Sequence, residues 1–527
     1  MGIFISLYVA HNVTQEEWEP VYEESLKLAK QFCLIDFENT ELFGEELFCG
    51  IPVKERGEDG KRYWQTIGDF FSMGYAEDQS IPRQLSRCVS DPTEVKTYDP
   101  LLAVVPSCTR LYWKEDRCKN SFIFWGNKTQ GEVYHMYLLA IGCMIESRLG
   151  GKACVAGDIT IGQCRKAVEL ANQNLSEPIG MPVRCELEPL YRRVRNLPIK
   201  EEELLEVFQG LYLGALDREY GDFVRTYFSS TEREYYWKRA FKNCRIGSPY
   251  FSSTIKTYFN LGNELEELCK IVQYVGKDGT EYYEQFVKEI MRTNLFLKQK
   301  DLRDCLEIPR EAEAPNKIHT LMAQYTFTGA KNRCVDAFMS IDQISEILCR
   351  YLPEHCDVQG IINEYLKQLE NGDKDKLSDI LNDCIDVQTE SMIQAEEAYD
   401  IYDTRSLPYY KTGDKIKPEL ERVCINYLKF YKGLCEETRF SELMKESAEK
   451  KSAFLIFQNR ELFLMKARWL KIFEDIEKNP DSFRRYYPMV RVRLHKDTIR
   501  LVRAYVENDG FYKYCENALA SETHKSI

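Results

Sequence analysis

The sequence predicts an α+β or α/β N-terminal domain followed by a large, mostly α-helical C-terminal region, built as an irregular bundle or a divergent helical solenoid. Three observations carry this. Residues 3–10 are an apolar run rich in β-branched and aromatic side chains, and Thr14 with Glu17 then gives a capping box for a helix reaching about Phe32. Residues 121–174 repeat strand then capped helix twice over. From about Pro198 onward strand-like alternation nearly disappears, and apolar residues recur at helical spacing between short breakers.

Along the chain, Phe48 to Lys54 and Arg62 to Gly68 read as two strands of a hairpin around the turn cluster Gly57-Glu58-Asp59-Gly60. A polar stretch with Pro82, Pro92 and Pro100 connects to the apolar run Leu101 to Val105. Ser121 to Trp125 reads as a strand, and Thr129 with Glu132 as the capping box of an apolar helix that Gly150-Gly151 ends. Lys152 to Ala156 is the next strand, and Thr160 with Gln163 caps the helix after it.

In the helical region Thr231 with Glu234 gives another box, and helices are expected near 263–275, 280–298, 331–351, 358–371, 375–400 and 418–436. One long helix is expected from about Ser441 to Lys478, with Leu462, Met465, Trp469, Ile472, Phe473 and Ile476 as its core-facing stripe. The Pro-bounded polar segment 308–315 reads as a linker, so the expected domains are 1–197, 198–308 and 316–527. With no repeated signature along the chain, a bundle is favoured over a solenoid.

The chain has 527 residues, 44% hydrophobic and 29% charged, which is ordinary globular composition and argues against wholesale disorder. Its formal charge is 71 − 84 = −13, so nonspecific attraction to nucleic acid or anionic lipid is disfavoured and any polyanion site must be local. The apolar start has no basic residue ahead of it and leads into an acidic helix, so it reads as a buried strand rather than a signal peptide. The longest uncharged apolar stretch, Met136 to Ile145, is half of what a bilayer crossing needs. Nineteen scattered cysteines without C-x-x-C spacing read as reduced thiols, which points to a cytoplasmic location.

Two strand-to-helix turns are the candidate ligand sites. Gly126-Asn127-Lys128-Thr129 joins a strand to a capped helix, where backbone N–H groups and the helix dipole favour an anion. It resembles a damaged phosphate loop, with Asn127 and Phe122 standing where a Walker A motif needs glycines, so a simple helix cap is the competing reading. Gly157-Asp158-Ile159-Thr160 repeats the geometry one unit later. Lys128, Thr129 and Thr160 are therefore the anion- or ligand-binding candidates.

Strand C-terminal ends of open parallel sheets collect ligands, so Asp69, His135 and Asp158 form the candidate catalytic set for a hydrolase or group transferase. The competing reading is a buried structural histidine and an Asp158 that supports its helix N-terminus. No G-x-S-x-G, H-E-x-x-H, G-x-G-x-x-G or kinase loop is present. Asp373 to Asp379 imitates the start of an EF-hand but lacks its turn glycine, and Cys349, His355 and Cys356 lack a second ligand pair, so no metal and no cofactor are expected.

One basic feature opposes the acidic balance. Arg484, Arg485, Arg493, Lys496, Arg500 and Arg503 lie within twenty residues containing one acid, Asp497, and the last four share a helix face. They are the candidate partner- or polyanion-binding stripe, against a reading in which they pair with the chain's own carboxylates. The favoured function is an adaptor or regulatory protein whose α/β module and helical body bind another protein. The alternatives are an enzyme at the strand ends, and a nucleic-acid-associated protein using the basic stripe. No membrane partner is expected.

Overall fold

The computed structural model describes residues 3–70, 76–85, 99–105, 121–242, 244–276, 278–296, 335, 337–370, 400–459, 462–491 and 496–525. A small sheet-containing region over residues 5–157 is followed by a large helical region. Contacts divide the chain into two compact units. One comprises Met1–Val104, Tyr112–Val183 and Ala395–Ile527; the other Val105–Leu111 and Arg184–Gln394. The N-terminal and C-terminal stretches thus share a unit, a division different from the sequential domains read from the chain. The linker at 308–315 and the EF-hand imitation lie outside the described residues.

The first unit opens with β1 (Ile5–Ala10) and α1 (Gln15–Gln31), the latter started by the Thr14/Glu17 capping box. Next come β2 (Ile35–Leu42) and β3 (Glu45–Pro52), paired as an antiparallel hairpin, then β4 (Tyr63–Thr66) paired with β5 (Gln79–Pro82). The hairpin expected across Gly57–Gly60 shrinks to a single Arg56–Tyr63 bridge, because β3 takes β2 as its partner instead. β2 escaped the sequence reading, since Asp36, Glu38, Asn39 and Glu41 are poor strand formers.

β6 (Ser121–Trp125), α2 (Tyr134–Leu149), β7 (Ala153–Gly157) and α3 (Ile161–Asn172) complete this part. The sheet has the order β6-β1-β7, and β1 is antiparallel to both neighbours. It is therefore not the parallel sheet that two β-α units suggest. β6 and β7 still run the same way on either side of β1, so α2 and α3 both begin at one end of the sheet.

The second unit is helical: α4 (Leu187–Arg195), α5 (Leu204–Leu211), α6 (Arg218–Tyr227), α7 (Ser230–Lys242), α8 (Pro249–Asn260), α9 (Leu265–Ile271), α10 (Tyr283–Arg292), α11 (Ile341–Tyr351) and α12 (Val358–Glu370). The capping box of α7 is Ser229 with Glu232, two residues ahead of the expected Thr231/Glu234 pair. Glu232 is 3% exposed and takes the Arg195 guanidinium at 2.8 Å, an anchor that Glu234 on the surface could not provide. Aromatic rings fill the core, with Phe208 in contact with Tyr191, Tyr212, Tyr220, Phe223 and Phe228.

The chain then returns to the first unit as α13 (Pro418–Leu434), α14 (Thr438–Met444), α15 (Ala448–Gln458), α16 (Lys466–Lys478), α17 (Lys496–Glu507) and α18 (Asp509–Lys525). The single helix expected over 441–478 is three. Ser447 caps α15, at Asn459 the backbone turns extended, and Leu464 accepts the Gly50 N–H at 2.9 Å. Met465 thereby bridges β3 in parallel. Trp469, Ile472, Phe473 and Ile476 keep their helical stripe and are buried in the core these helices share with Leu47 and Cys49. No helix among the described residues is long and apolar enough to cross a membrane.

Candidate functional site

At the shared start of α2 and α3 the chain's own residues Ile3 and Phe4 fill both turns. Thr129 N and Gln130 N donate to the Ile3 carbonyl at 2.8 and 3.1 Å, and Asp158 N donates to the Phe4 carbonyl at 2.9 Å. The Asp158 carboxylate accepts the Phe4 N–H at 2.9 Å. Gly157 makes this approach feasible: its φ is +110°, and a Cβ there would stand 2.6 Å from the Phe4 oxygen. The turn N–H groups of Thr129, Gln130 and Asp158 are thus already bonded to carbonyls. Lys128 donates its backbone N–H to Glu77 at 2.8 Å, and its ammonium lies 3.9 Å from the same carboxylate.

The two turns differ in how they start their helices. Thr160 and Gln163 form the capping box read from the sequence, at 3.2 and 2.9 Å. Thr129 does not cap α2. Gln130 and Gly131 have φ of +55° and +70°, and that turn leaves Thr129 five residues ahead of Tyr134. Asp69, from a distant loop, takes the capping part and accepts the Tyr134 N–H at 3.3 Å.

His135 is 2% exposed, and its Nδ1 lies 2.6 Å from the Thr129 hydroxyl, which also faces the Ile3 carbonyl. Its Nε2 is buried without a hydrogen-bond partner. Burial lowers the imidazole pKa, while the charges of Asp158 and Cys164 pull it the other way. Asp69 is buried and Asp158 exposed. The structure therefore brings Asp69, His135 and Asp158 to one end of the sheet, each bonded to the chain's own groups. Cys164, fully buried in the first turn of α3, is a further member that sequence reasoning passed over. Its signal was its place four residues after the capping Thr160.

Three arginines of the basic stripe, Arg485, Arg500 and Arg503, are turned inward. Arg503 is fully buried, with Nε 2.8 Å from Glu507, a hydrogen bond to the Phe70 carbonyl, and its guanidinium 4.1 Å from the Phe70 ring centroid. Arg500 is 8% exposed and meets Asp497 at 3.5 Å. Arg485 donates to Asp509 and to the Tyr505 and Val506 carbonyls that end α17, and it covers the Tyr512 ring at 4.1 Å. Arg484 keeps more than half its side chain in solvent, 4.0 Å from Asp481. Lys496 opens α17, and Arg493 lies outside the described residues. At Arg500 and Arg503 the side of α17 that carries the expected stripe meets the protein interior.

Asp509 gathers three cations, Arg468 at 3.0 Å, Lys471 at 2.7 Å and Arg485 at 2.8 Å. Burial pushes its pKa up, and bonds to the three cations outweigh this and hold it well below the usual carboxylate range. Among the described residues no cluster of three or more His, Cys, Asp or Glu side chains could hold a metal ion. His355 pairs with Glu281 at 3.0 Å.

The feature that sequence reasoning missed is an aromatic face on the β2–β3 hairpin. Phe37 and Phe48 pack with tilted rings, centroids 4.1 Å apart, and Phe463 closes on both at 5.6 Å. Phe48 is 43% and Phe463 38% exposed. Phe43, at the hairpin tip with φ of +54°, is exposed to a similar degree and packs edge-on against Phe473. Its signal was the alternation Phe37, Asn39, Glu41 against Glu46, Phe48, Gly50, hidden because β2 was not read as a strand. No protein-family model, curated protein or solved structure matches the chain.

Proposed function

We propose that the chain is a protein-interaction protein of the adaptor or regulatory kind, docking a protein partner on the aromatic face of the β2–β3 hairpin. The observation that carries this is the Phe37, Phe48 and Phe463 cluster, which leaves two large rings in water although they already touch each other. Single exposed apolar side chains need no explanation, but clustered ones mark binding surfaces, because covering them removes apolar area from water. Phe and other aromatics are favoured at the centres of such surfaces. The many buried cysteine thiols, among them Cys49, Cys424 and Cys515, support a reducing cytoplasmic location.

The enzyme reading draws support from one group, the buried His135 Nε2 near the charges of Asp158 and Cys164. It is the weaker reading, since Asp69, His135 and Asp158 all have structural bonds and two of the three are buried. The nucleic-acid reading is weaker again, because Arg500 and Arg503 cannot reach a phosphate.

Lys54 and Lys466 both pair with Glu38 of the β2–β3 hairpin that carries the aromatic face, and amine cross-linking in cells reports what lies near that hairpin. Cross-links from these lysines to a second protein are expected in the natural chain and lost in the Phe48→Ser/Phe463→Ser variant, with an unchanged unfolding midpoint. Identical cross-links in both chains would remove the proposal's basis.

A further inference from the structure

The same hairpin face carries two carboxylates whose placement has a cost and no counter-charge among the described residues. In the β2–β3 register Glu41 stands directly opposite Glu46, on the face that Phe37 and Phe48 share. Like charges directly opposed across a strand pair are destabilising. Both side chains are exposed, and among the described residues neither has a cation within ion-pair distance. Lys54 and Lys466 both bond Glu38 instead, at 3.4 and 3.0 Å.

At two places elsewhere in the first unit, carboxylates and cations gather together. Arg83 gathers Glu19, Glu23 and Glu55, and three cations converge on Asp509. An acidic pair held in direct cross-strand opposition beside exposed aromatic rings is a surface that a cation would relieve. A second copy of this chain does not fit the need, since the formal charge of −13 sets copy against copy.

We infer that the partner docks through a basic segment, an arginine or lysine next to an apolar anchor. Arginine fits best, because its planar fork can bond both carboxylates while its face stacks on Phe48. The apolar neighbour covers Phe37 and Phe463. The acidic pair then supplies the specificity: a basic segment relieves the Glu41–Glu46 repulsion, whereas an acidic one would add to it. This rests on the docking reading above, and it adds which chemistry the face selects.

The test is selection of a random-peptide display library on the purified full chain, in parallel with the Glu41→Lys/Glu46→Lys, Glu41→Gln/Glu46→Gln and Phe48→Ser variants. All changes are at exposed positions, and unfolding midpoints confirm that each variant is folded. The natural chain is expected to enrich peptides with arginine or lysine beside leucine, phenylalanine or tryptophan. Neutralising the pair should weaken a selected peptide by about tenfold, the scale of losing one good charge pair, and reversing it should turn the enrichment to acidic residues. Phe48→Ser should lose both selections. If the selected peptides depend on Phe48 but show no basic bias, or bind the reversed variant equally well, the basic-segment inference is overturned and the docking reading stands. If no selected peptide depends on Phe48, the docking reading falls, and this inference with it.

Discussion

The carboxylate of Glu146 accepts the backbone N–H of Val155 at 2.7 Å, so a helix side chain bonds a strand at the edge of the sheet. Its other oxygen accepts the Val183 N–H at 2.8 Å, and the side chain is 4% exposed. β7 is an edge strand of the three-stranded sheet, and an edge that offers a bare N–H invites pairing with another chain. Glu146→Ala leaves two buried donors unsatisfied and should cost about 2–3 kcal/mol in urea unfolding, with increased aggregation. Glu146→Gln, which keeps one acceptor, should cost less. Equal stability of all three chains would show that the bond carries nothing.

His135 should make stability depend on pH near neutrality. Its folded pKa is lowered, chiefly by burial, so the unfolded chain binds a proton at a pH where the folded one does not. The stabilisation is fully present above the ordinary histidine value of about 6.5 and is lost as pH falls below it toward the folded value. The urea midpoint should therefore drop between pH 7.5 and 5.5, and that slope should flatten in His135→Gln. A His135→Gln chain with the same slope would assign the pH dependence to other groups.

Arg503 and Arg484 should separate sharply in thermal and urea unfolding. Arg503→Ala strands the mostly buried Glu507 carboxylate and removes the cover from Phe70, for a loss of about 3 kcal/mol or more. Arg484→Ala, on the surface, should stay within about 0.5 kcal/mol. The reverse order would contradict the inward orientation of α17.

Asp509 joins α16, the segment around Arg485 and the start of α18. Because its folded pKa is depressed, its contribution is present above the ordinary carboxylate value of about 3.9 and is lost as pH falls through the folded value. Asp509→Asn should lower stability at pH 7 by about 1 kcal/mol, a figure reduced for solvent screening of the half-exposed side chain. The difference between the two chains should shrink on acidification. A difference independent of pH would mean that packing, not charge, is what the substitution disturbs.

What could be read in advance was local. The Thr14/Glu17 and Thr160/Gln163 boxes were legible because all their atoms lie within four residues, and so was the stripe Trp469, Ile472, Phe473 and Ile476, which needs no knowledge of what it packs against. Thr129/Glu132 has the same pattern but fails, because Ile3 and His135 compete for the threonine and Asp69 arrives to cap α2. The candidate site residues were legible as positions. Their occupation by the chain's own residues was not.

By itself, then, the sequence determined the strand-then-helix order at residues 5–31 and 121–172, the predominance of helix after about residue 198, and the acidic balance that any partner must meet, since propensity, periodicity and net charge are sums over near neighbours. The tertiary structure decided which partner each group found. It returned residues 395–527 to the N-terminal unit, bonded Leu464 to Gly50, buried Arg503 against Phe70, and gathered Phe37, Phe48 and Phe463 beside Glu41 and Glu46. Each of these joins groups far apart in the chain or set by strand register, and no local pattern encodes which distant atom will satisfy a donor, a charge or an apolar face.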